Sequence, residues 1–388
     1  MHRGETGHYR TTTHGGEELR AFVPKPLPPE PPLQLDGPLL KALEAANHAL
    51  GRLDGISTLL PDKSLFLYHY VRKEAVLSSQ IEGTQSSLTD LLQHERGDAP
   101  GVPQDDVAEV SRYVSALEHG LRRLREDDFP LSNRLIREVH GVLLASGRGS
   151  EKAPGEFRRS QNWIGGTRPG NADFVPPPHI EVGDCMASLE HFLHVADDGL
   201  PDLVRVGLAH VQLETIHPFL DGNGRVGRLL ITFLLCHAGL LQDPLLYLSL
   251  YLKQNRSDYY RLLTDVRLQG DWEAWLAFFL EGVRVTADGA FSTAMRLTEM
   301  FRDNKSRISS LGRAANSALR VHEALMAMPI RSIPEVGRES GLSYPGAAAG
   351  MDRLIELGIA AEVPGHRRGR IFVYAQYLNN LAEGTEPL

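Results

Sequence analysis

Cysteine is almost absent: Cys185 and Cys236 are the two in 388 residues, and no Cys-x-x-Cys pair occurs. That excludes a disulfide framework and a cysteine-rich zinc site, and it points to reducing, cytoplasmic surroundings. Long hydrophobic runs are missing as well. The longest, Leu229 to Leu241, is interrupted by Thr232, Cys236, His237 and Gly239 and falls short of the roughly 20 residues of a bilayer span, so no membrane insertion is expected. The opening MHRGETGHYRTTTHGG has no apolar signal core. Positive charge is not in excess either. A formal net charge of -8 argues against non-specific nucleic-acid binding by the whole chain, and no internal repeat is visible.

What is present is apolar periodicity at helical spacing. The length suggests two or three domains, because single cores stop growing beyond roughly 250 residues. Residues 1 to 35 are polar and then proline-rich, through Pro24, Pro26, Pro28, Pro29, Pro31 and Pro32, and read as a tail along the surface with no catalytic role. From Asp36 the pattern is helical. A second helix runs from about Ser64 to Ile81, Gly83 is placed to stop it, and Ser87 opens another. Helices follow over 105–125, 132–145 and 181–197, and again through Leu203 to Leu213. Residues 147–180 break the pattern with glycine and proline, and their middle reads as a short hairpin or flap. After 316 come helices near 318–328, 333–341 and 345–358 and two β-rich runs, Ile359–Val363 and Ile371–Tyr374. The expected class is all-α, with an N-terminal helical region (36–104), a helical core carrying a β-hairpin flap (105–315) and a C-terminal winged helix-turn-helix (316–388).

The most informative stretch is TIHPFLDGNGRVGRLL, residues 215–230. Gly222, Asn223 and Gly224 suit positive φ angles, and the apolar run from Val226 starts a helix, whose first N–H groups attract anions. Arg225 and Arg228 lie three apart and are expected beside one anion, a polyphosphate by chemistry. Asp221 offers a hard oxygen for Mg²⁺, and His217 can accept a proton near neutral pH. GNGRVG also spells the dinucleotide fingerprint through Gly222, Gly224 and Gly227, with Asp243 beyond, but no strand precedes it. No Lys-Ser or Lys-Thr follows the glycines, which removes a Walker A loop. His210, Glu214 and His217 do not have a recognised zinc spacing. Taken singly, each residue reads as ordinary turn or surface; together they do not.

These residues resemble the Fic family, whose signature is His-Pro-Phe-x-(Asp/Glu)-Gly-Asn-(Gly/Lys)-Arg-x-x-Arg; every fixed position is filled from His217 to Arg228. The resemblance implies AMP transfer from Mg-ATP to a Tyr, Thr or Ser hydroxyl of a protein, self-modification included. His217 would be general base and Asp221 the metal ligand. Gly222, Asn223, Gly224, Arg225 and Arg228 would bind phosphates, and Phe219 would anchor the core. Gly224 stands where a lysine marks the family's kinase-like branch. The run RSDYY places Tyr259 at the family's nucleotide contact, while Arg267 replaces an asparagine of some relatives. A homodimer is implied by the family alone.

SSQIEGT, residues 78–84, resembles the family's inhibitory pattern through Ser78, Glu82 and Gly83. Independently, a carboxylate in the last turn of a helix is disfavoured by roughly 0.3–1 kcal/mol and seeks a cation, for which Arg228 would serve. The flap, Trp163, Ile164, Gly165 and Gly166 above all, is expected to hold the target by strand addition. In the last module His366, Arg367, Arg368 and Arg370 suggest a phosphate contact. Arg353 is accompanied by Asp352 and Glu356, and seven basic residues stand against six acidic ones over 318–376, so DNA reading is not favoured over protein contact or dimer packing. The expectation is a cytoplasmic protein adenylyltransferase held inactive by Glu82. The alternatives are removal of AMP with Glu82 aligning water, and a nucleotide-sensing DNA-binding regulator.

Overall fold

The computed structural model describes residues 3–57, 63–95, 104–195, 199–363 and 370–387. The described residues are mainly helical, as the periodicity predicts. Residues 1–35 depart from expectation. They contain β1 (Gly7–His14) and β2 (Glu17–Pro24), an antiparallel hairpin whose register runs from Gly7 opposite Pro24 to His14 opposite Glu17. The physical cause is in the sequence: Thr11, Thr12 and Thr13 favour a strand, and Gly15 and Gly16, both at positive φ, form the two-residue turn that suits strand twist.

Next come α1 (Gly37–Ser57) and α2 (Lys63–Ile81). Leu39, Leu43, Ala46, Leu50 and Leu53 of α1 recur every three or four residues and are buried. α3 (Leu88–His94) opens with a capping box, in which Ser87 and Asp90 satisfy each other's backbone N–H groups. α4 (Gln104–Arg125) and α5 (Asn133–Leu143) follow, the latter capped by Ser132. A long irregular segment then leads to α6 (Val182–His194).

α7 (Asp202–Ile216) and α8 (Asn223–His237) lie at the centre, buried over almost their whole lengths. α9 (Ser249–Gln254), α10 (Arg256–Gln269) and the 38-residue α11 (Trp272–Ser309) enclose them; α11 packs along α1 and α7.

The C-terminal part comprises α12 (Ala315–Ala327), β3 (Ile330–Ser332), α13 (Ile333–Ser340), α14 (Tyr344–Glu356), β4 (Ala361–Glu362), β5 (Ile371–Val373) and α15 (Ala375–Ala382). Its sheet has the order β3-β5-β4, antiparallel throughout. His366, Arg367 and Arg368 of the expected wing lie outside the described residues. Arg370 pairs with Glu362 at 2.6 Å and Arg353 with Glu356 at 2.6 Å, so both cations are already neutralised. No described helix is long and apolar enough to cross a membrane.

Candidate active site

α7 does not run on into α8 because His217 takes a left-handed conformation, φ 49° and ψ 60°. Gly222, at φ 76°, caps the start of α8 without a side chain in the way. Helical bonding resumes with Val226 N–H to Gly222 O at 3.0 Å, so the amides of Asn223, Gly224 and Arg225 precede it and form the anion-attracting end.

The turn is braced from several sides. Asn223 Oδ1 accepts from Phe219 N–H and its Nδ2 donates to Phe219 O, both at 2.8 Å, and Asn162 Nδ2 reaches the same carbonyl at 2.9 Å. The Asn223 side chain is therefore consumed by the loop, which leaves its backbone amide, at the start of α8, as the group that could meet a phosphate. Phe219 is wholly buried, as expected of a core anchor, with His140 stacked on it at 3.7 Å. His140 Nδ1 accepts from Gly155 N–H at 2.9 Å, so Nε2 carries the proton and donates to Asp221 O at 3.0 Å. Burial pushes this histidine down to about 4, which keeps that tautomer neutral.

Arg158 is a second brace that the sequence did not announce. It is 3% exposed, and it donates from Nε to His217 O at 2.9 Å and from Nη2 to Pro177 O at 2.5 Å and Ile216 O at 3.4 Å. Its backbone N–H reaches Pro218 O at 2.9 Å. One guanidinium thus ties the flap's exit to the carbonyls at the end of α7. Burial, then the charges of Arg158 and Arg267, push the His217 imidazole down to about 4 against a backbone hydrogen bond at Glu214, so its ring is neutral.

The two arginines of α8 do not share one partner. Arg225 lies 2.8 Å from Glu109 of α4 and 3.5 Å from Asp221 Oδ1, whereas Arg228 donates from Nε to Ser78 Oγ at 2.7 Å and from Nη2 to Ser78 O at 3.0 Å and Glu82 Oε1 at 2.7 Å. α8 is enclosed on both sides, and each neighbouring helix supplies its own carboxylate. Burial alone would raise the Glu82 carboxyl, but the charge and hydrogen bond of Arg228 overcome it and hold the group below its ordinary value. Gly224 makes the approach feasible: a Cβ there would stand 2.3 Å from Glu82 Oε1. Gly83, at φ 102°, follows the end of α2 at Ile81, where the sequence places a helix stop. Asp221 Oδ1 accepts from Gly222 N–H at 2.6 Å, while Oδ2 occupies the space left by the missing side chain of Gly149.

One expectation shifts inward. Tyr259, expected at the nucleotide, is 1% exposed with its hydroxyl on His210 Nε2 at 2.8 Å, and the ring open to the surface is Tyr260, 39% exposed. His210 donates from Nδ1 to Gly227 O at 3.1 Å, and no cluster able to hold a metal is formed by three His, Cys, Asp or Glu side chains among the described residues. In the flap, Ile164 pairs with Phe174 through N–H to O at 2.8 Å and the reverse at 3.1 Å, and Gly165 and Gly166 are exposed. β2 joins from the other side, with Phe22 N–H on Val175 O at 2.9 Å. Arg267 lies over the Phe174 ring at 3.9 Å.

Comparison with known proteins agrees with this geometry. Residues 40–122 match the Fic/DOC family N-terminal pattern and residues 130–235 the Fic/DOC family pattern. The chain is a Fic-domain protein. It is similar to the protein adenylyltransferase Fic of Drosophila virilis, 36% identical over 259 residues that make up 64% of this chain and 46% of that one. The Culex quinquefasciatus protein of the same name is 28% identical over 66% of this chain and 48% of its own. This Fic-domain protein therefore spans less than half the length of the curated relatives it matches. Its fold is shared with a Fic family protein from Desulfovibrio desulfuricans G20, TM-score 0.59 at 20% identity over 88% of this chain and 97% of that one, and with Fic-1 from C. elegans, TM-score 0.50 at 21% identity over 67% and 73%.

The structure of this Fic-domain protein adds His140, Arg158, Asn162 and the β1–β2 hairpin to the residues that build the site. None carries a spacing signal relative to 217–228, and their roles come from burial and from backbone carbonyls they meet. The hairpin alone was readable in advance, from Thr-Thr-Thr and Gly-Gly.

Proposed function

We propose that this protein transfers AMP from Mg-ATP to a Tyr, Thr or Ser hydroxyl of a protein, in a cytoplasmic setting, and that Glu82 holds it inactive. The observation that carries the reading is the assembly of a neutral His217 beside an anion-attracting helix end whose Arg228 is engaged by Glu82. His217 takes the proton of the incoming hydroxyl; the oxygen attacks the α-phosphorus in line, the bond to the β-phosphate oxygen breaks, and pyrophosphate leaves. The amides at the start of α8 and the freed guanidinium of Arg228 place the triphosphate and neutralise its charge.

A magnesium ion fits the one carboxylate oxygen, Asp221 Oδ2, that is not held by the loop. Held by Asp221, Mg²⁺ would supply positive charge that offsets the charge of the phosphates. Arg225 keeps Asp221 Oδ1 in place, and His140 fixes the backbone of the same residue. Tyr260 borders the same region and is the better candidate than Tyr259 for stacking on the nucleotide. The exposed edge at Gly165 and Gly166 receives the target's backbone, while the N-terminal hairpin steadies the opposite side of the flap. Removal of AMP by the same site is the second reading, favoured by the one-third exposure of the Glu82 side chain, which leaves it open to water. Residues 316–388 serve protein contact rather than DNA, because Arg353 and Arg370 are paired.

The test is incubation of the Glu82→Gly protein with Mg-ATP, followed by mass spectrometry. An AMP adduct on a Tyr, Thr or Ser supports the reading. Release of AMP from an already modified target by the parent protein, without forward transfer by the variant, supports the second.

A further inference from the structure

Gln80 stands between Ser78 and Glu82, about 200° around the helix from Ser78. It is 1% exposed and fully engaged. Nε2 donates to Ser86 O and to Thr385 O, each at 2.8 Å, and Oε1 accepts from Lys253 Nζ at 2.7 Å. Lys253, on α9, donates in turn to Gly384 O at 3.4 Å and to Glu386 O. All three protons of this buried ammonium are thus spent on one side chain of the inhibitory segment and on two carbonyls more than 130 residues away.

The same distant segment touches α2 again higher up. The Tyr377 hydroxyl of α15 meets His69 Nδ1 at 3.1 Å, with ring centroids 5.3 Å apart. Arg296 of α11 fixes Glu383 at 3.1 Å. Gly384, at φ 81°, lies so close to Leu250 that a Cβ would stand 2.8 Å from Leu250 Cδ1. α2 is therefore held on two faces: Ser78 and Glu82 on Arg228, Gln80 and His69 on residues 377–386.

We infer that residues 375–387 are a regulatory strap that keeps the inhibitory end of α2 against Arg228. The inference rests on the reading of Glu82 as inhibitory. A contact of 2.7 Å does not survive a displacement of an ångström, so the strap, by fixing Gln80 and the following turn to Ser86, fixes whether Glu82 reaches the guanidinium. Because α15 follows β5 directly, a partner that moves the sheet of the C-terminal part pulls on the strap, which couples that part to the site without touching nucleotide.

The test uses the full chain with Lys253→Met, which keeps the stem and removes the three donors, and separately Gly384→Val, which dislodges the segment from the other side. Circular dichroism establishes that each is folded, and either variant alone suffices. Amide hydrogen exchange over residues 78–83 should accelerate at least tenfold. AMP transfer should rise about three- to tenfold, with no further rise when either change is added to Glu82→Gly. The strap is refuted if Glu82→Gly raises transfer while both strap variants stay at the parent rate, whatever their exchange. If Glu82→Gly itself does nothing, the reading of Glu82 falls, and unchanged exchange at 78–83 would then refute the strap on its own.

Discussion

Arg228 and Glu82 meet at 2.7 Å across the start of α8, and Ser78 holds the same guanidinium from the other side at 2.7 Å. The guanidinium is 2% exposed and the carboxylate 32%, so the pair has a dry half and a wet half. Breaking it leaves Arg228 buried with only Ser78, whereas a phosphate would restore its charge-assisted bonds.

The first prediction follows from that pair. Glu82→Gly should raise AMP transfer tenfold or more, measured as label incorporated into protein at saturating Mg-ATP, and adding Arg228→Ala should return the rate to the parent level or below. The glycine costs little helix stability, because Glu82 follows the last residue of α2, where the interior penalty of about 1 kcal/mol does not apply in full.

His217→Ala should abolish transfer while ATP affinity changes less than about threefold, since in the proposed mechanism the imidazole acts on the hydroxyl and not on the phosphates. Asp221→Ala should do the reverse in part, weakening ATP binding in Mg²⁺ and leaving binding in chelator unchanged. Calorimetric titration with and without magnesium separates the two.

Arg158→Met should lower kcat a hundredfold or more with KM for ATP nearly constant, because it releases the carbonyls of Ile216 and His217 and the flap's Pro177 together. The same change removes one of the charges that hold His217 near 4. Its imidazole should therefore titrate higher in nuclear magnetic resonance spectra. Arg158→Lys should restore part of both properties; an unchanged His217 titration would show the arginine to be merely structural.

Glu214 predicts a pH dependence of stability. It is 7% exposed, its Oε1 has no hydrogen-bond partner among the described residues, and burial pushes it up to about 7 despite the opposing charge of Arg228. A folded-state value raised above the unfolded one, near 4.5, gives stability that is complete below 4.5 and lost as pH rises through 7. Glu214→Gln, neutral throughout, should match the parent near pH 4 and exceed it by on the order of 3 kcal/mol at pH 8, read from denaturant melts. A gap that stays constant with pH would contradict this.

The helices and the 217–228 cradle were legible because both are local. Apolar spacing dictates α1, α2 and α5, and the order of histidine, aspartate, glycines and arginines is a contiguous string. Glu82 was legible through its position just past α2 and before Gly83. The rest depends on distances in space. Asn223 reads as a phosphate ligand, but that Phe219 holds both ends of its side-chain amide is visible only in space, and Tyr259 and Tyr260 are adjacent rings whose exposure α11 and His210 decide. His140, Arg158 and Gln80 act through backbone carbonyls, which leave no trace in residue type.

The central claim is that this site moves AMP and that Glu82 restrains it. The direct measurement is incubation of parent and Glu82→Gly proteins with ATP labelled at the α- or the γ-phosphate, followed by counting of label in protein. The account predicts α-label in protein, more in the variant, and γ-label leaving as pyrophosphate. Label from the γ position alone in protein would contradict it.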